Sequence, residues 1–493
     1  MGQRLGALDL LGINNTQIES ARVLTTKMHS FVHLDGVEAE PASPCSDDGS
    51  NNDEGVRWQL TPHELLSAPE WRNFGKLTDI EAQEAENLPP ESFKVAVSDA
   101  EVSDYKRRLR QARLPPALSE EANMTYGYPS AGLSQLRDQM LKFNLTNWAK
   151  LMNSYDHYKL TLYGLKIHYI KVSGKPDLQR VPLLLIHGWP GSFYEFYKAI
   201  PLLQQKAELH EFSYDLIIPS LPGYGFSEAA YRTGLNPEYA AAIFNKLMNK
   251  LGYDKYIPQG GDWGALVTEY IVTFYPERVI GFHTNIFNLP AFDEDLRTLP
   301  YTLAATIAPR QLMQGSELAL FEAKGLFSGY TSLFKEGGYC HLQATKPDTV
   351  GTALTDSPLG LAVYILEKFY TCTDSSNVDK PLQEATESLP FSIDEALNNV
   401  LVYWHSNSIQ SSVRFYKEAL SMFERRPFPR TDVAGALLMT KHEVSFCPRF
   451  IAELRIRNLV QYTVLMKGGH FAAFEIPEEF SSDVVRFTHA LLN

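Results

Sequence analysis

Two short stretches of this 493-residue chain, VPLLLIH at 181–187 and YDLIIPS at 214–220, are apolar at nearly every position instead of at every second one. Strands that read this way are covered on both faces, as in a parallel sheet with helices packed above and below. Parallel strands need crossovers, and the text supplies them. Asn236 stands as an N-cap, Pro237 opens the first turn, Ile243, Leu247 and Leu251 follow at helical spacing, and Gly252 serves as the C-cap. YIPQG at 256–260, a helix from Trp263 and RVIGFH at 278–283 continue the alternation. The fold class is therefore α/β, with a mostly parallel, doubly wound sheet.

Before these runs, YKLTLYG and LKIHYIKV alternate apolar and polar residues on either side of Gly164, the pattern of a β-hairpin. From about 289 to 427 the strand rhythm gives way to helical, aromatic-rich text, and GALLMT at 435–440 and LVQYTVLM at 459–466 resume it. The core thus divides into 156–288 and 428–493, with 289–427 as an inserted helical cap. Phe480, Val484, Phe487 and Leu491 mark one face of a closing helix. Upstream, Ser98 and Glu101 form a capping-box pair opening a helix through YKRRLRQAR, within a helical segment at 91–155 expected to pack on core and cap. Residues 1–90, with SPCSDDGSNNDEG near their middle, read as a flexible, largely polar extension.

A net charge of -13 argues against a nucleic-acid partner and for a small-molecule one. Cys45, Cys340, Cys372 and Cys447 lie far apart, so neither a disulfide framework nor a metal site is expected, and nothing in the text calls for a cofactor. LGALDLLGI at 5–13 is too short and too acidic for a secretory signal, and no span reaches bilayer length. A soluble, cytoplasmic protein without a transmembrane anchor is expected; a homodimer is left open. The Asn-x-Thr triplets at Asn14, Asn123 and Asn144 read as accidental.

The segment richest in chemistry is GGDWG at 260–264, directly after a short apolar strand and directly before ALVTEYIVTF. Gly-x-nucleophile-x-Gly in that setting is the strand-to-helix elbow of the α/β-hydrolase fold. Here the projected side chain is Asp262. An attacking carboxylate suits an sp³ carbon and yields an ester whose carbonyl belongs to the enzyme, so the substrate must be an alkylating electrophile such as an epoxide or alkyl halide. HGWPGS at 187–192 follows a buried strand, where this fold places its second oxyanion donor. The backbone N–H groups of Trp189 and Trp263 are the candidates for the oxyanion hole, while His187 is expected to hold the loop.

Chain order in this fold is nucleophile, acid, histidine. His470, in KGGHFAAFE just past the last strand, is the candidate base, with two glycines to let its loop approach the elbow and Phe471 and Phe474 to exclude water. Glu443, in KHEVSF after GALLMT, is the candidate acid; Asp432 precedes that strand and would lie at the wrong edge. His442 reads as a solvated neighbour.

HGWPGS, LPGYGFS at 221–227, GGDWG, TKPDTVGTALTDSPLGLAVYILEKF at 345–369, RFYKE at 414–418 and GGHFAAFE at 468–475 closely resemble the microsomal-type epoxide hydrolases, from about residue 90 to the end. The resemblance implies hydrolysis of an epoxide to a vicinal diol in two steps, and the aromatic residues of the cap suggest that the epoxide is lipophilic. It further implies that two cap tyrosines, at the matching positions Tyr339 and Tyr416, hold the epoxide oxygen and protonate it. It places the relay acid at Glu443. The membrane anchor of the microsomal members is not carried over, because a polar extension stands in its place. A haloalkane dehalogenase, whose elbow also reads Asp-Trp, is the alternative enzyme, distinguished by having no need of the tyrosine acids. A non-catalytic binding protein of this fold is the alternative of another class, disfavoured because nucleophile, acid and histidine are all retained.

Overall fold

The computed structural model describes residues 67–118, 123–287, 304–325, 334–420 and 428–493. Among these, nine strands form one sheet: β1 (Glu91–Phe93), β2 (Asp156–Leu162), β3 (Leu165–Val172), β4 (Gln179–Ile186), β5 (Phe212–Pro219), β6 (Ile257–Gly260), β7 (Phe282–Thr284), β8 (Gly435–Thr440) and β9 (Leu459–Leu465). Their order is β1-β2-β3-β5-β4-β6-β7-β8-β9. The hairpin β2–β3 turns on Tyr163 and Gly164, both at positive φ (52° and 77°), the conformation that suits a two-residue turn between twisted strands. β3 meets β5 antiparallel, and every pairing beyond β5 is parallel.

Those parallel strands are the apolar runs of the sequence, and burial explains why. All eight residues of β5 and all six of β8 are buried, because helices cover both faces. The helix Pro237–Lys250 begins with Asn236 Oδ1 accepting the N–H of Tyr239 at 3.1 Å. It ends with Leu251 as the C-cap and Gly252, at φ 86°, one position beyond, so the expected cap moves by one residue. The closing helix, Pro477–Leu492, buries Phe480, Val484 and Phe487. Between β7 and β8 the described elements are all helical.

Two expectations need correction. RVIGFH does not pair along its length: Pro276–Arg278 form a 3₁₀ turn, Val279 makes only a bridge to Tyr256, and the ladder starts at Phe282. The ordered body also begins well before residue 90, because a short apolar signal outweighs the polar text around it. Phe74 is fully buried and its N–H donates to Tyr163 O, while Glu86 accepts the indole N–H of Trp71 and the N–H of Tyr163. The helix Asp79–Ala85 between them carries its own capping box from Thr78 and Glu81. Residues 1–66, with Cys45 and Asn14, lie outside the described residues.

The segment 91–155 contacts the inserted helices. Arg108 pairs with Asp356, Gln139 with Asp394, and the Trp148 indole donates to Asn398 O. The helix Asp99–Gln111 has the expected Ser98/Glu101 capping box. Asn144 caps the helix Leu145–Met152, and Asn123 donates to Asp379 O, so both triplet asparagines are engaged in the fold. Among the described residues no single helix is long and apolar enough to cross a membrane.

Candidate active site

Strand order decides where a site can form. β4 has β5 on one side and β6 on the other, so the loops leaving β4 and β6 depart to opposite faces and open a crevice at the strands' carboxyl ends. The register Ile186↔Gly260 brings HGW and GDW side by side there.

Asp262 sits at the turn between β6 and the helix Trp263–Phe274 with φ 51° and ψ −127°, in the positive-φ region that costs a non-glycine residue roughly 1–3 kcal/mol. Close packing enforces it: a Cβ on Gly264 would collide with the backbone of Ile186 and His187, and one on Gly188 with the Asp262 side chain. Gly188 therefore lets the next residue come near, and the Trp189 N–H donates to Asp262 Oδ1 at 2.7 Å. Trp263 opens the helix, where its N–H is one of those a helix leaves without an internal acceptor. His187 is buried with both ring nitrogens engaged, Nδ1 with Gly188 O at 3.0 Å and Nε2 accepting the N–H of Leu221 at 3.1 Å. Burial pushes its pKa down to about 4, so it stays neutral.

The loops after β8 and β9 are laced together. Thr440 Oγ1 donates to Gly469 O, and the His442 N–H donates to Gly468 O. This lacing brings Glu443 against His470: Nδ1 lies 2.7 Å from Glu443 Oε1, and Nε2 lies 3.4 Å from Asp262 Oδ2. Glu443 is 1% exposed. Burial works against a charge on His470, but the Glu443 and Asp262 carboxylates outweigh it and hold its pKa well above the ordinary value. Asp432 pairs instead with Arg457, at 3.2 Å. His442 is not simply solvated, because its Nδ1 lies 3.3 Å from Asp374.

Gly469 in this loop also serves a second neighbour that was not expected. A Cβ on Gly469 would collide with the backbone of Cys372 and Thr373, and the His470 N–H donates to Cys372 O at 3.1 Å. The loop thus approaches the end of the inserted helix Pro358–Thr371. Phe471 and Phe474 pack beside it, stacked on Phe369 and tilted against Phe391.

Tyr339 lies in the helix Gly338–Thr345 and Tyr416 in Ile409–Leu420. The Tyr339 ring stacks on the Trp189 indole at 5.2 Å, and Tyr416 stands edge-on to Trp263 at 4.7 Å. Their own ring centroids are 6.2 Å apart. Burial foremost, with the Asp262 carboxylate adding to it, pushes both phenols well above their ordinary pKa. All seven residues singled out in the sequence therefore converge on one locus.

Three neighbours were not singled out. Glu475 accepts the N–H groups of Gly469 and Phe471, at 2.7 and 2.8 Å, and so clasps the chain on both sides of His470. Burial pushes its carboxyl up to about 8 in spite of those donors. Glu195 and Asn285 line a cavity beside Asp262 and His470. Among the described residues no group of three His, Cys, Asp or Glu side chains is arranged to hold a metal.

Comparison with known proteins accords with this geometry. Residues 90–196 match the family described as epoxide hydrolase N terminus, and residues 181–296 match the alpha/beta hydrolase fold. The chain is 37% identical to juvenile hormone epoxide hydrolase of Bombyx mori, over 82% of this chain and 88% of that one. To epoxide hydrolase 1 of Sus scrofa it is 39% identical, over 82% and 89%. The chain belongs to the epoxide hydrolase family. The crystal structure of the Bombyx mori epoxide hydrolase superposes with a TM-score of 0.78 at 35% identity, covering 86% of this chain and 98% of that one. The Aspergillus niger epoxide hydrolase gives 0.67 at 25%, covering 83% and 98%. The protein is an epoxide hydrolase of the α/β-hydrolase fold, and nothing in these likenesses favours a dehalogenase.

Proposed function

We propose that this epoxide hydrolase works through a covalent ester on Asp262, with Tyr339 and Tyr416 as acids and His470, oriented by Glu443, as base. The observation that carries the reading is the division of labour between the two Asp262 oxygens. Oδ1 is held by the Trp189 N–H, while Oδ2 is free to attack and faces His470 Nε2 at 3.4 Å. Oδ2 bonds to an epoxide carbon as the C–O bond of the ring breaks, and a tyrosine hydroxyl protonates the departing oxygen. Positioned proton transfer of this kind contributes roughly a hundred- to ten-thousandfold.

Charge couples the two steps. The Asp262 carboxylate is among the causes that keep the phenols protonated and the imidazole charged, and esterification removes it. The tyrosines become stronger acids as the bond forms, and His470 then becomes able to give up its proton and act as a base. Water next attacks Cγ, giving one proton to His470, and the Trp189 and Trp263 N–H groups stabilise the oxyanion. The adduct collapses, the diol oxygen leaves with the His470 proton, and the proton remaining on the carboxyl restores the tyrosine. His470 takes back from solvent the proton it released to solvent on esterification.

The rings of Trp189, Trp263, Phe415, Tyr339 and Tyr416 around the nucleophile fit a lipophilic epoxide. The test is chemical trapping. His470→Gln is expected to accumulate an adduct on the Asp262 peptide by mass spectrometry, and Asp262→Ala to form none and to lose turnover by about ten-thousandfold or more. Undiminished diol formation by Asp262→Ala would overturn the assignment.

A further inference from the structure

The attacking water needs a place of its own. Beside Asp262 lies a cavity with about 10 Å³ of space for the centre of a water molecule, enough for roughly one, and neither Tyr339 nor Tyr416 lines it. Glu195, Gly261, Asp262, Asn285, His470 and Ala472 are among its lining residues, and none comes from the described helices between β7 and β8. Substrate presented by the tyrosines and water held in this cavity would therefore approach Asp262 from different directions.

We propose that Glu195, together with Asn285, holds the hydrolytic water in this cavity and aims it at Cγ of the Asp262 ester. A confined water is stable where two to four polar groups meet it. His470 Nε2 accepts one hydrogen, and the second requires another acceptor, which the Glu195 carboxyl oxygen supplies. Asn285 Oδ1 already accepts the amide N–H of Gln259 at 3.0 Å, which orients the amide and leaves Nδ2 as a donor to the water oxygen. That Nδ2 lies against Gly261, where an added Cβ would stand only 2.6 Å from it. One lone pair of the water is left, and it faces Asp262.

The Glu195 carboxyl is suited to this passive part. Burial pushes its pKa up to about 8, with the Asp262 carboxylate contributing and His470 opposing. Burial, the largest of these causes, persists in the ester and favours the acid, whose C=O oxygen accepts without competing with His470 for the water proton. In the step itself the water oxygen bonds to Cγ, one hydrogen passes to His470, the diol oxygen departs with that proton, and Glu195 keeps its own. The Glu195 backbone is fixed by its N–H donating to Ser192 O at 3.1 Å, in the 3₁₀ turn Phe193–Phe196.

The inference rests on the ester reading, and single-turnover kinetics with acid quench tests the two apart. Glu195→Ala is expected to alkylate Asp262 at the wild-type rate but to hydrolyse the ester about a hundredfold more slowly, the cost of a misplaced reactant. Glu195→Gln keeps an acceptor oxygen and is expected to recover to within about tenfold of wild type. Hydrolysis at the wild-type rate in Glu195→Ala, or equal slowing of both steps, would overturn the proposal. Should Glu195→Ala not fold, Asn285→Ala carries the same test, with the same split expected and equal slowing again decisive against it. Absence of any adduct in His470→Gln sinks the ester reading itself; an adduct there with unimpaired hydrolysis in Glu195→Ala sinks only the role given to Glu195.

Discussion

Asp262 is served from two sides that are built on different principles. On the core side, Glu443, His470 and Trp189 stand on loops that leave parallel strands of one sheet, β8, β9 and β4, and hydrogen bonds of 2.7–3.1 Å fix them. On the cap side, Tyr339 and Tyr416 come from helices and are located by ring packing against Trp189 and Trp263 at 4.7–5.8 Å. Directional bonds hold a proton-transfer group within a narrow range, whereas ring contacts, stacked for Tyr339 and edge-on for Tyr416, leave a hydroxyl more freedom. On the proposed mechanism the core side is thus built for one invariant step, the hydrolysis of an ester on a fixed aspartate. The cap side must meet the variable partner, the substrate.

If the division holds, damage to one side leaves the other step running. The largest effect is expected from Tyr339→Phe combined with Tyr416→Phe: alkylation slows by roughly a hundred- to ten-thousandfold, and hydrolysis of ester already formed is unchanged in rapid-quench experiments. Slowing of both steps would break the comparison. Acid pH acts on the opposite side. Glu443 still raises the pKa of His470 after Asp262 is esterified, and the base must be neutral, so hydrolysis falls by up to tenfold per unit as pH drops below that value. Alkylation needs no neutral His470, and ester therefore accumulates toward pH 5, as quenched samples taken at pH 5 and pH 8 would show. The smallest effect tests the seam between the two sides. Gly469→Ala places a methyl against the backbone of Cys372 and Thr373, which costs about 1–3 kcal/mol by denaturant titration and slows hydrolysis more than alkylation.

The same division governs what could be read in advance. A parallel strand announces itself by an unbroken apolar run, and whatever follows it stands at the sheet's carboxyl edge. Glu443 follows such a run, β8, and Asp262 and His470 follow the shorter or more mixed strands β6 and β9, so their meeting was legible from strand order. GALLMT coincides with β8 residue for residue. Nothing comparable marks Tyr339 or Tyr416 among 25 tyrosines, because helical spacing does not tell which ring faces a nucleophile on another element; the family resemblance supplied them. Glu195 and Glu475 escaped for a related reason. A glutamate reads as a surface residue until the fold closes over it, and only then does burial push its carboxyl up to about 8. Glu475 did leave a trace, standing four residues past Phe471, close enough for a helical turn to reach back. At the front of the chain, composition averaged over ninety residues concealed Trp71 and Phe74, two rings sufficient to anchor a segment.

On the proposed mechanism, the bond from the Trp189 amide to one carboxylate oxygen gives this enzyme a memory one turnover long. Each cycle the oxygen that attacks is surrendered to the product, and an atom drawn from solvent takes its place, while its tethered twin stays behind. In heavy-oxygen water the first diol released should accordingly be light and the second heavy. Were the carboxylate free to spin between cycles, half of that second diol would come out light.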